Sequence, residues 1–244
     1  MNTAERIRHA VAEVEQLRHE NRAAPRLGAA VSAVKAFQAR RFAGTYADLL
    51  AGGPYAAAAR FFLEELYNER DYAERDAQFA RIAGAMEKLF PRDVAETAAA
   101  LAELHALTES LDHAMAIALE TAAGIEAASY ATAWRRVGRR ADRDRQLERV
   151  LAIGREMGRI TRLPGLRLML KMMRGPATAA GMSSLQRFLE AGFDTFAGVA
   201  RTRNGVASFL AIIEERERKL LQLMFEAEPV ACETELARTL GQAR

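Results

Sequence analysis

One cysteine, Cys232, is all that the chain of 244 residues carries, which excludes an internal disulfide framework and any metal cage built of thiolates alone. That usage fits a reducing compartment, and we expect a cytoplasmic protein. A secretory leader is not evident either, because "MNTAERIRHAVAEVEQLRHENR" alternates charges with apolar residues and has no long apolar centre. No run approaches the roughly 18 to 20 apolar residues that span a bilayer, so no transmembrane segment is expected. Strands are wanting too: no stretch of alternating β-branched residues is bounded by turn signals.

The usual marks of catalysis are also missing. "AGG" at 51–53 lacks the preceding strand and following lysine of a phosphate-binding loop, and "GREMG" from Gly154 falls inside a helical pattern. There is no Gly-x-Ser-x-Gly elbow, Cys232 has no histidine near it in sequence, and "MSSL" at 182–185 has the form of a helix cap. No catalytic residue is nominated. The chain therefore points to an interaction or regulatory role rather than an enzyme.

What is present is helix. Half of the residues are apolar, enough for a substantial core, and Ala, Leu, Arg and Glu dominate. Ile7, Ala10, Val14 and Leu17 fall three and four apart in a first helix that ends before Pro25, with a seam suited to its own domain or to a second copy. A second helix is expected from Leu27 to Ala51, closed by "GGP", and "YAAAARFFLEELY" follows as a third. Asp71 with Glu74, and Asp93 with Glu96 after Pro91, have capping-box spacing. The helix after Asp71 presents Tyr72, Phe79, Ile82, Met86 and Leu89 on one stripe, and the helix after Asp93 extends about thirty residues, towards Gly124. Ser129 is a candidate cap for a helix holding Tyr130, Trp134 and Val137. Further helices run from Ala141 or Asp142 to "LPG", through "LRLMLKMM", and through "SSLQRFLEAGFDTFAGV" and "SFLAIIEERERKLLQLMF". Pro229 ends the pattern. The expectation is an all-α protein of eight to nine helices: an N-terminal helix at 1–24, a single compact bundle domain at 27–228, and a C-terminal tail at 229–244.

Some of these segments are familiar. The run "ARFFLEELYNERDYAERDAQFARIAGAMEKLFP" resembles an uncharacterised bacterial family with an "FFLxxLY" helix followed by two "RD" pairs, here Arg70-Asp71 and Arg75-Asp76. "AELHALTESLD", "GRRADRDRQ" and "MRGPATAAGMSSLQRFLEAGFDTF" are similar to it as well. The resemblance covers about residues 35 to 226. It implies a single helical domain and brings no activity with it.

Two candidate sites follow from the residues. The first lies in "ELHALTESLDHAM", residues 103–115. On a helical wheel Leu101, Leu104, Leu107, Leu111, Met115 and Ala118 form an apolar stripe, while His105, Glu109 and His113 face away from it, as on a solvated or salt-bridged helix face. The two histidines are about 12 Å apart along the axis and do not chelate one ion together. Glu109 and His113, one turn apart, form half of a possible site, and Glu65, flanked by Phe61 and Phe62, is the best further donor. Glu65, Glu109 and His113 would make a carboxylate-histidine site for iron, manganese or zinc. No cofactor is expected otherwise.

The second site is cationic. Residues 1–134 hold 14 basic and 19 acidic side chains, residues 135–174 hold 13 and 4, and residues 175–244 hold 8 and 9, so the net charge of +3 is concentrated in the middle block. If one helix continues through "SYATAWRRVGRRADR", then Arg136, Arg139, Arg140 and Arg143 line one side and Tyr130, Trp134, Val137 and Ala141 the other. A row of guanidiniums suits phosphates or carboxylates. The first expectation is that these arginines pair with the acidic N-terminal half of the chain; otherwise the row would serve a protein partner or second copy, or a non-specific anionic partner, either nucleic acid or a membrane surface. The last would also use "LPGLRLMLKMMRGP", where Met169, Met172 and Met173 stand with leucines beside Arg167, Lys171 and Arg174.

Overall fold

Helix-forming residues and a scarcity of proline produce a chain that is helical almost throughout. The computed structural model describes residues 1–65, 72–119, 124–203 and 205–243. Thirteen helical segments appear among them, and they are shorter and more numerous than the eight to nine expected. They are α1 (Thr3–Ala23), α2 (Pro25–Thr45), α3 (Ala47–Ala51), α4 (Ala56–Glu65), α5 (Ala73–Leu89), α6 (Arg92–Leu119), α7 (Ala127–Val137), α8 (Arg140–Ile160), α9 (Leu166–Met172), α10 (Arg174–Ala179), α11 (Ser183–Ala200), α12 (Gly205–Glu226) and α13 (Pro229–Gly241).

The extra segments have local causes. The second expected helix is interrupted at Tyr46, which is neither helical nor exposed, and becomes α2 and α3. At Gly138 the backbone is left-handed, with φ of 67°, and the Gly138 N–H returns to the carbonyl of Trp134. That is a helix stop that glycine alone adopts without strain. Pro229 does not end the pattern but starts a helix. It stands in the first turn of α13, where its missing N–H costs nothing, and the expected tail is instead a packed element with Cys232 and Leu236 buried.

Caps differ from their sequence readings as well. Glu126, not Ser129, caps α7; Ser129 stands three residues in and completes a reciprocal box. Glu96 is taken by Thr3 at 3.1 Å and by Arg6 at 2.7 Å rather than by its own helix end. The Asp71 half of the other expected box, and the Arg70-Asp71 pair, lie outside the described residues.

The chain divides into two compact units, each built from three separate stretches. Unit 1 comprises Met1–Glu15, Arg70–Ala106 and Arg149–Leu210. Its main core joins Ile7, Ala10 and Val14 of α1 to Phe79, Ala83 and Met86 of α5, and to Ala98, Ala99, Ala102 and Ala106 of α6. The alanine face of α6 lets its neighbours approach closely, and the α1 seam is used up here, with Ile7 and Val14 fully buried. Leu89, expected on the buried stripe of α5, is exposed. A second cluster packs Leu166 and Leu170 of α9 on Ile160 and Phe193. Val206, at the start of α12, lies so close to Gly158 that a Cβ there would meet it at 2.9 Å.

Unit 2 comprises Gln16–Glu69, Leu107–Glu148 and Ala211–Arg244. Helix α13 packs on both α2 and α7. A Cβ on Gly44 would stand 1.8 Å from the carbonyl oxygen of Thr239, so only glycine allows this approach of α2 to α13. Aromatic rings fill the centre: Phe37 stacks on Tyr130 at 4.1 Å, and Trp134 lies 6.0 Å from Tyr130 and 5.7 Å from Phe225.

Candidate functional site

The polar side of α6 is covered, not solvated. In unit 2, Lys35 and Gln38 stand three apart on α2 and meet Glu109 and Asp112, three apart on α6. The Lys35 Nζ lies 2.6 Å from Glu109, and the Gln38 amide donates to Asp112 at 2.8 Å. His113 has Nδ1 3.1 Å from the Asn21 amide oxygen and Nε2 3.4 Å from a Glu20 carboxylate oxygen. Glu109, Asp112 and His113 are all buried. Burial, reinforced by the Glu109 charge and opposed by Lys35, Arg143 and Gln38, pushes the Asp112 carboxyl up to about 6.

Two of the three candidate metal ligands make these contacts. Glu109 and His113 are turned to Lys35, Asn21 and Glu20, and Glu65 is the half-buried last residue of α4. No group of three or more His, Cys, Asp or Glu side chains among the described residues is placed to hold an ion. Glu65, Glu109 and His113 are not brought together as one.

His105, the remaining member of the sequence cluster, belongs to unit 1. Its Nε2 lies 3.0 Å from a carboxylate oxygen of buried Asp76. Arg75 stacks between Tyr72, 3.8 Å from its guanidinium carbon to the ring centroid, and Phe188 at 4.5 Å. The second "RD" pair therefore splits its duties. Asp76 orients an imidazole, and Arg75 clasps two aromatic rings. Sequence reasoning saw both residues but not His105 as their partner, since the two positions are 29 apart in the chain.

A groove of about 470 Å³ in unit 1 is lined by Arg6, Asp93, Glu96, Arg149, Ile153 and Arg159, among others. Its cations are all compensated. Arg6 reaches Glu96 and Glu103 at 2.7 Å each, Arg149 reaches Glu103 at 3.3 Å, and Arg159 reaches Asp93 at 2.7 Å. Arg6, followed by a bond from Thr3, holds Glu96 below the usual carboxylate range.

The expected arginine row does not form, because the helix it needs stops at Gly138. Arg136 stays on α7 and donates to the Ala118 carbonyl at 3.1 Å. Arg139 lies between helices and binds Asp142 at 2.7 Å and the Ser110 hydroxyl at 2.9 Å. Arg140 pairs with Glu226 at 2.6 Å. Arg143 is buried, its guanidinium carbon 4.0 Å from the Trp134 ring centroid. All four have partners within unit 2, though only Arg143 is buried; Arg139 is half-buried, and Arg136 and Arg140 are exposed.

Uncompensated cations lie further along the chain, in unit 1. Residues 149–210 carry ten basic and three acidic side chains. Each of those three carboxylates is already engaged: Glu156 with Arg159 at 2.9 Å, Asp194 with Arg167 at 2.9 Å, and Glu190 with Arg174, which holds that carboxyl down to about 2. Arg155, Arg162, Lys171, Arg201 and Arg203 are exposed and make no ion pair among the described residues. Arg155 and Arg159, one turn apart, share one side of α8, and Arg162 stands in the turn just after it. Val206, three residues after Arg203 in the chain, packs on Gly158 of that helix. The block count of charge located this region only broadly. Which arginines it left free depends on carboxylates distant in sequence.

No helix among the described residues is long and apolar enough to cross a membrane. Neither a curated protein nor a solved structure matches the chain. A family profile does match, over residues 17–231, from the second half of α1 into α13. On that match the chain belongs to the family described as Domain of unknown function (DUF8198).

Proposed function

We propose that the protein is a non-catalytic interaction protein that engages phosphate-bearing polyanions through unit 1. The observation that carries this reading is the set of exposed cations Arg155, Arg162, Lys171, Arg201 and Arg203, in a stretch whose own carboxylates are committed to other arginines. An exposed guanidinium with no protein partner keeps its fork of donors for an external oxyanion, and several on one surface add their attraction over about a Debye length. The arginines that sequence alone singles out, Arg136, Arg139, Arg140 and Arg143, are structural in this reading.

The test uses the full chain and labelled inorganic polyphosphate, which offers phosphate chemistry without bases or lipid. Affinity should fall steeply between low and moderate salt. Replacing Arg155, Arg162, Arg201 and Arg203 together by glutamine should cut it by at least about tenfold and flatten the salt dependence, because fewer counterions are released. Affinity unchanged by that replacement, or absent at low salt, overturns the reading.

A further inference from the structure

Helix α9 is held by one face and shows an apolar ridge on the other. Leu166 and Leu170 are buried on Ile160 and Phe193, whereas Leu168 and Met172, one turn apart, are 62% and 69% exposed. Leu89 is exposed as well, and its neighbour Phe90 packs on the same cluster that anchors α9. Cations border the ridge. Lys171 is exposed between Leu168 and Met172 in sequence, Arg162 precedes the helix, and Arg167 and Arg174 are each about half exposed while bound to Asp194 and Glu190.

Three kinds of partner are phosphate-rich or apolar enough to consider, and the ridge separates them. A nucleic-acid backbone uses the cations but gains nothing from exposed leucine and methionine, and base stacking asks for aromatic rings, which α9 lacks. A protein partner needs on the order of 800 Å² from each side, far more than a few outward-pointing side chains supply. A bilayer surface with anionic headgroups uses both features at once: apolar side chains enter the acyl boundary while the lysine and arginine stems lie along it and leave their charges among the phosphates.

We propose that α9 is a membrane-surface contact, with Leu168 and Met172 inserted in an anionic phospholipid leaflet and the unpaired Arg162 and Lys171 at the level of its phosphates. This rests on the polyanion reading above and names the partner of the same unit. Insertion goes no deeper than one helical face, and Leu166 and Leu170 keep α9 attached to the body of unit 1 throughout.

The experiment is co-sedimentation of the full chain with vesicles of phosphatidylcholine alone and with about 30% phosphatidylglycerol, an amount that gives the surface a strong negative potential. The wild type should bind the anionic vesicles and not the neutral ones. The double substitution Leu168→Ser and Met172→Ser should weaken vesicle binding by about tenfold or more, the loss expected when two inserted apolar side chains are removed. It should leave polyphosphate affinity and the thermal melting curve unchanged, since both side chains are exposed. Vesicle binding that is insensitive to the double substitution, or absent while polyphosphate or duplex DNA is bound, overturns the lipid assignment and leaves the polyanion reading standing. Failure to bind both vesicles and polyphosphate overturns the two together.

Discussion

Two sets of four arginines have different fates. Arg136, Arg139, Arg140 and Arg143 in unit 2 are consumed by a carbonyl, a serine, carboxylates and a tryptophan face. Arg155, Arg162, Arg201 and Arg203 in unit 1 are exposed and make no ion pair among the described residues. The difference lies not in the arginines but in what the fold brings to them. Charge density along a chain is therefore a poor guide to charge available at a surface, because partners come from positions tens of residues away.

The sharpest way to break this comparison is at Arg143. Its removal exposes no new surface for ligands but takes the cation from the Trp134 face and one of two nearby cations from buried Asp112. Arg143→Ala should lower the unfolding free energy by about 3 kcal/mol, read from urea denaturation, with polyphosphate affinity unaltered in the folded protein. A melt like that of the wild type would show that the inward set is not structural.

A somewhat smaller effect is expected at Asp112. Its carboxyl titrates at about 6 in the fold and near 3.8 when unfolded, so the folded state takes up the proton first. Stability from this group rises as pH falls through about 6, is complete below about 4, and is lost again as pH climbs back through the folded value. Asp112→Asn mimics the protonated form and keeps an acceptor for Gln38. It should raise stability at pH 7 by on the order of 2 kcal/mol and flatten the pH dependence between about 4 and 6, as followed by denaturation at several pH values. A steeper profile in the variant would contradict the burial argument.

The smallest effect on stability belongs to the outward set. Arg162→Gln should change the unfolding free energy by no more than about 0.5 kcal/mol, while lowering the slope of log affinity for polyphosphate against log salt by roughly one. A large loss of stability would move Arg162 into the inward class and remove it from the proposed surface.

Much of the fold was legible in the sequence. Helical class and the α1 seam at Ile7, Ala10 and Val14 follow from periodicity alone, because a 3.6-residue repeat marks which face is buried. On α6 it misleads: Ala98, Ala99, Ala102 and Ala106 enter the core, while Leu101, Leu104 and Leu107 of the expected stripe are only half-buried. Two proline and glycine signals were harder. Pro229 has the same appearance whether it stops one helix or starts another, and Gly138 breaks a wheel drawn straight through it. The polar face of α6 was illegible for a different reason. A wheel reports which residues share a side, not whether another helix carries complementary groups to that side. Lys35 and Gln38 supply those groups from 74 positions upstream.

The close approach of α2 to α13 at Gly44 has a consequence in time. During synthesis α2 emerges early, and the helix that closes over it begins at Pro229, almost two hundred residues later. At about 5 to 20 residues per second, α2 waits roughly ten to forty seconds for its partner. Through that interval the Gly44 end of α2 lacks its final neighbour, so unit 2 completes its folding only once α13 has been made.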